Sequence, residues 1–103
     1  PRKAERLDTI ADSLAAPHAG AGAFALCRRF LDDVVLVDDE ALRRSMALLF
    51  REMKLAVEPA GAAATAALVG PLAERLRGRK VALVVCGTNT DLATFTRLAA
   101  VDT

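Results

Sequence analysis

Hydrophobic positions recur along this chain with two different patterns. From Ala23 to Leu31 they fall at Phe24, Leu26, Cys27, Phe30 and Leu31, a three-to-four spacing that predicts a short helix with Arg28 and Arg29 facing outward. The same spacing over Leu42, Met46, Leu49, Phe50 and Met53 predicts a longer helix. Asp38 is its expected N-cap, with Asp39 and Glu40 at the positive end of the dipole, and Met46 and Met53 are expected on its packed face. Two short, continuous apolar runs read differently: VVLV at 34–37 and VALVVC at 81–86 have the length and composition of buried strands.

Turn signals divide the remainder. TIADSLAA is expected to be a short extended or turn segment before Pro17, and PHAGAGA a loop. KLAVEP at 54–59 reads as extended, a possible third strand, and Pro59 suits the first turn of the Ala-rich stretch that follows it, where its missing N–H costs nothing. AGAAATAAL has so little side-chain bulk that another backbone, or a ligand, can approach it closely. Pro71 interrupts that helix, Gly78 ends a further turn or two in LAERLRG, and Thr90 is the expected cap of a last helix carrying Leu92, Phe95 and Leu98. The order helix, strand, helix, helix, strand, helix predicts an α/β fold with parallel pairing. Two clear strands make only an incomplete parallel sheet flanked by helices, whose edges something outside this sequence or a partner chain must cover.

Composition narrows the setting. At 103 residues the chain has the size of one small domain or part of one. Apolar residues are 53% of it, and its only aromatics are four Phe, so the core is expected to be aliphatic. The net charge of +1 is interspersed, and the cluster CRRFLDD neutralises itself. Neither nucleic acid nor an anionic membrane is therefore an expected partner. No apolar stretch approaches the roughly 20 residues that cross a bilayer, which makes the cytoplasm the default location. Cys27 and Cys86 lack ligand or CxxC spacing and read as reduced and buried. Residues 1–8 read as a linker or truncated lead-in segment. His18 reads as a loop residue facing solvent, and Asp38 and Asp39 as helix capping, so no metal site is expected.

In open parallel sheets ligands bind at the carboxyl ends of strands, and Cys86-Gly87-Thr88-Asn89 and Val57-Glu58-Pro59 occupy such positions. There KLAVEPAGAAATAAL and VALVVCGTNTDLATF, with TIADSLA and FLDDVVLVDDEALRRSM before them, resemble the carboxyl-terminal part of the fold-type II pyridoxal phosphate enzymes. The likeness is to the threonine and serine dehydratase family, which has serine racemase among its relatives, and it covers roughly residues 8–98. It implies that residues 9–103 are the C-terminal part of the large, cofactor-binding domain. Cys86 stands where the family places a Ser or Cys facing the pyridine nitrogen. Glu58 matches the acidic residue of the EPAGA motif near the ring; a plain capping role is the alternative. Gly87 and Asn89 match a Gly-x-Asn turn, in which Asn89 is expected to tie down the loop. Ser13 falls where the family usually has the Gly of IADG, a departure close to the active site.

The family's Schiff-base lysine and Gly-rich phosphate loop have no counterpart here, since Lys3, Lys54 and Lys80 lie in other contexts. No catalytic residue is therefore expected in this piece, which should be inactive alone. The resemblance implies a pyridoxal 5'-phosphate dependent ammonia-lyase that converts a small hydroxy amino acid, such as threonine or serine, to a 2-oxo acid and ammonia. Its expected partners are the missing N-terminal portion of the same enzyme and further copies in a homo-oligomer. A serine racemase-type isomerase and a non-catalytic interaction or small-molecule binding module are the alternatives.

Overall fold

A fifteen-residue helix supplies the axis on which the other elements assemble. The structure, a computed structural model, describes residues 1–102. Its helices are α1 (Ala21–Phe30), α2 (Asp39–Met53), α3 (Ala63–Val69) and α4 (Leu92–Ala99), with 3-10 turns at Asp12–Leu14 and Pro59–Ala62. Helix α2 starts where its chemistry dictates: the Asp38 carboxylate accepts the Ala41 N–H at 2.8 Å, satisfying one of the orphan donors of the first turn. It ends at Lys54, in left-handed backbone with φ 59°. Leu42, Ser45, Met46 and Leu49 form its buried stripe.

Against that stripe lie the Pro59–Ala62 turn, α3 and α4. One cluster joins Met46, Leu49, Val57, Ala62, Phe95 and Leu98; a second joins Leu42 to Ala11 and Ala66. The alanines of 60–67 let α3 sit close to α2, as their small volume leads one to expect. Pro59 opens the 3-10 turn that leads into α3. Helix α4 is capped by Asp91, not by the expected Thr90: the Asp91 carboxylate accepts both the Thr94 N–H and the Thr94 hydroxyl at 2.8 Å. After Gly70 the chain turns irregularly up to Gly78, whose φ of +74° ends the segment.

Several expectations are corrected. Helix α1 begins at Ala21, inside the presumed loop, and none of its residues is buried. Neither 34–37 nor 81–86 forms a paired strand among the described residues, so the incomplete parallel sheet is absent from this chain by itself. Leu36 is 90% and Val84 76% exposed. The reason is that a strand is defined by its neighbour, and the two runs share no backbone hydrogen bond. Met53, expected in the core, is exposed at the end of α2. Cys27 and Cys86 are both unpaired, as expected, but exposed; each belongs to a segment with no covering layer.

The shape expresses the same fact. The molecule is a slab 37 × 35 × 18 Å that exposes 7772 Å², whereas a self-contained folded monomer of its mass exposes about 5600 Å². No described helix is long and apolar enough to cross a membrane, and the excess apolar surface lies on α1 and on the two unpaired runs.

Three outcomes are expected. The Ser45 and Thr65 hydroxyls are buried without a hydrogen-bond partner; Ser45→Ala should raise stability by about 1 kcal/mol, read from urea unfolding, because it removes an unsatisfied polar group. A Cβ at Gly61 would overlap the Cys86 carbonyl, so Gly61→Ala should cost at least about 2 kcal/mol in the same measurement. The Asp91 carboxyl is held below its usual range, first by the Thr94 N–H and then by the Thr94 hydroxyl. A depressed carboxyl stabilises fully above its unfolded value, about 4, and loses that contribution as pH falls through its lower folded value. Protection of the α4 amides, measured as exchange relative to the unstructured rate at the same pH, should therefore fall on acidification, and Asp91→Asn, an equally good cap that does not titrate, should remove that dependence.

Candidate functional site

Three separated motifs converge on the side chain of Glu58. The first is the turn at Asp12–Leu14, fixed to α2 from both sides: the Thr9 hydroxyl donates to Asp39 Oδ1 at 2.5 Å and the Ile10 N–H to Asp39 Oδ2 at 3.1 Å. Ala11 then enters the core beside Leu42 and Ala66. This anchoring leaves Ser13 poised over the Pro59–Ala62 turn, where its hydroxyl donates to Glu58 Oε2 at 2.9 Å.

The second motif is Glu58-Pro59-Ala60-Gly61-Ala62. Its turn is closed by the Gly61 N–H donating to the Glu58 carbonyl at 3.0 Å, and it is held down by buried Val57, Pro59 and Ala62. Glu58 is 7% exposed, and no ion pair among the described residues involves it. A buried carboxylate without a cation depends on hydrogen bonds for its place in the fold, and Ser13 supplies one.

The third motif is Cys86-Gly87. The Glu58 N–H donates to the Gly87 carbonyl at 3.2 Å, and the Cys86 carbonyl packs on the bare Cα of Gly61. Gly87 has φ +82°, and a Cβ there would run into Glu58 Oε1. Glycine is thus required at this position twice, by backbone conformation and by space. The Cys86 thiol itself is exposed at the end of its run.

All four expected site residues are therefore neighbours: Ser13, Glu58 and Gly87 through contacts to the Glu58 side chain, and Cys86 through its backbone on Gly61. Asn89 and His18 are both exposed. Two participants escaped the sequence reading. Gly61 was hidden among many small residues, though the EPAGA spelling was its signal. Asp39, read as a helix-dipole residue, also tethers the Ser13 turn, a long-range bond with no local signature. Of the other aspartates at that end, Asp33 pairs with Arg75 at 2.9 Å.

Comparison with known proteins agrees with the geometry. Residues 1–87 match the family described as pyridoxal-phosphate dependent enzyme. The phenylserine dehydratase of Ralstonia pickettii is 54% identical over 97 residues, covering 94% of this chain and 30% of that protein. The L-threo-3-hydroxyaspartate ammonia-lyase of a Pseudomonas species is 36% identical, covering 87% and 28%. The catabolic L-threonine dehydratase of Escherichia coli K12 is 34% identical, again covering 87% and 28%. The chain thus spans less than a third of the length of these relatives. With its family match, these relatives and the shared motifs, the chain belongs to the fold-type II pyridoxal-phosphate dependent enzymes of the threonine and serine dehydratase family, whose cofactor is pyridoxal 5'-phosphate.

Proposed function

We propose that this chain is the carboxyl-terminal part of a dehydratase acting on a 2-amino-3-hydroxy acid, and that Ser13, Glu58, Cys86 and Gly87 form the wall beside the cofactor ring. The observation that carries this reading is the convergence of three distant motifs on one buried carboxylate. The cofactor, when bound, withdraws electrons from the substrate's α-carbon, so that the α-proton and the β-hydroxyl are lost and a 2-oxo acid and ammonia are released.

The residues present fit one edge of that group. Gly61 and Gly87 admit the Cys86 carbonyl and the Glu58 carboxylate where side chains would otherwise stand, so that Cys86 and Glu58 meet at one turn. Cys86 offers a neutral, weakly hydrogen-bonding thiol, which does not hold a proton on a ring nitrogen as a carboxylate would. Glu58 is fixed in place on two sides. What the chain does not offer is a lysine at this point: Lys54 donates to the Arg51 carbonyl at 2.8 Å, and Lys3 and Lys80 are exposed outside the three motifs. The lysine and the phosphate-binding loop belong to sequence outside these residues.

The surface supports the same division. Apolar grooves flank both unpaired runs, one between α2 and Val81, Leu83 and Val85, the other beside Val35, Leu36 and Val37. An amino-terminal portion supplying neighbouring strands covers these grooves and completes the sheet; α1 gains its packing partner in the same assembly or against a second copy. For the substrate, the higher identity to a phenylserine dehydratase than to the threonine and hydroxyaspartate enzymes favours an aromatic group on the β-carbon.

The test mixes this chain with an amino-terminal portion carrying the lysine and the phosphate loop, adds pyridoxal 5'-phosphate, and follows visible absorbance and 2-oxo acid release from phenylserine, threonine and serine. Neither piece alone should be active; together they should gain absorbance and turn over phenylserine fastest. A chain that stays monomeric and folded, and never acquires absorbance or turnover, is instead a non-catalytic module. Racemisation without 2-oxo acid release assigns it to the isomerases.

A further inference from the structure

We propose that Ser13 is a positioning residue for Glu58: its hydroxyl locks the carboxylate so that Oε1 is presented at the Cys86–Gly87 turn, on the side where the cofactor ring lies. The second half of this inference rests on the function proposed above; the first half stands on the geometry alone. Glu58 is 7% exposed and has no cationic partner among the described residues. Without a donor, a buried carboxylate is both costly and free to rotate about its last bond. Ser13 is the donor, at 2.9 Å to Oε2, and the bond spans 45 residues of sequence. The other oxygen, Oε1, lies beside Gly87 where a Cβ would stand, at the turn that follows Cys86.

The donor is itself rigid. Its turn is tied to α2 through both oxygens of Asp39 and sunk into the core at Ala11, and the Ser13 N–H is engaged by Asp12 Oδ1 at 2.8 Å. The hydroxyl therefore arrives at the carboxylate from a fixed direction, and little ordering remains to be done when the bond forms. A glycine at this position, which the resemblance leads one to expect, has no hydroxyl to donate. The hydroxyl is thus a feature of this chain's own sequence, and the plane of the Glu58 carboxylate is set by it.

The test is made in the full-length protein with Ser13→Ala, Ser13→Thr and Glu58→Ala. A hydrogen bond to a buried carboxylate is worth about a factor of ten or more. Ser13→Ala should accordingly lower kcat about tenfold with KM nearly unchanged and displace the absorption maximum of the bound cofactor. Ser13→Thr, which restores a hydroxyl, should return both to within about twofold of the parent. Independently of any cofactor, thermal melts of Ser13→Ala, Glu58→Ala, which removes the acceptor, and the double variant should show coupling, the double variant losing less than the two single losses combined. Additive losses overturn the Ser13–Glu58 bond itself. Coupling with an unchanged spectrum and kcat in Ser13→Ala, or a Ser13→Thr variant as impaired as Ser13→Ala, overturns the positioning role. If the parent protein binds no pyridoxal 5'-phosphate, the functional reading fails while the coupling still decides the bond.

Discussion

Backbone packed directly on backbone holds the Glu58–Ala62 turn and the Cys86-Gly87 turn in register. The Cys86 carbonyl lies on the Cα of Gly61, and the Glu58 N–H reaches the Gly87 carbonyl at 3.2 Å. A single methyl group at Gly61 is incompatible with that approach, and one at Gly87 would run into the Glu58 carboxylate. Because the turn beginning at Pro59 leads into α3, and α3 is packed on α2, the contact transmits the position of the helical layer to the tip of the 81–86 run. The carboxylate of Glu58 sits in the gap so formed, between the bare Cα of Gly87 and the hydroxyl of Ser13.

Stability and function are distributed unevenly across the molecule. The helical layer of α2, α3 and α4 closes its own core around Met46, Leu49, Ala62 and Phe95. The runs at 34–37 and 81–86 and the whole of α1 leave most of their apolar side chains exposed, although Val37 and Val85 pack against the core clusters. This asymmetry is what one expects of one layer of a multi-layer α/β architecture. The molecule measures only 18 Å along its shortest axis, and it exposes more surface than a self-contained monomer of its mass.

The proposed chemistry depends on the same division of labour. In that proposal this chain would contribute one edge of the cofactor site: two glycines that let Cys86 and Glu58 meet, the Cys86 thiol and the buried Glu58 carboxylate. Groups that form covalent bonds or bind phosphate require other sequence. A scaffold of this kind supplies pre-organisation, and its contribution to catalysis lies in holding atoms still.

By itself the sequence determined those features whose cause is local. The α2 helix, its Asp38 cap, Pro59 in the first turn and the αL glycine at Gly78 follow from periodicity, hydrogen-bonding side chains and steric limits on φ, all of which act within a few residues. The resemblance singled out Ser13, Glu58, Cys86 and Gly87, and the fold brings these four together. Tertiary structure alone decided the rest. The runs at 34–37 and 81–86 have the composition of strands, yet a strand's hydrogen bonds are made to another segment, and none is within reach among the described residues. Met53 carries the right periodicity for the core but extends past the elements that cover α2. Asp39 looks like a helix-dipole residue and also anchors the turn bearing Ser13, since a bond across thirty residues is fixed by where the chain returns, and local sequence carries no record of that.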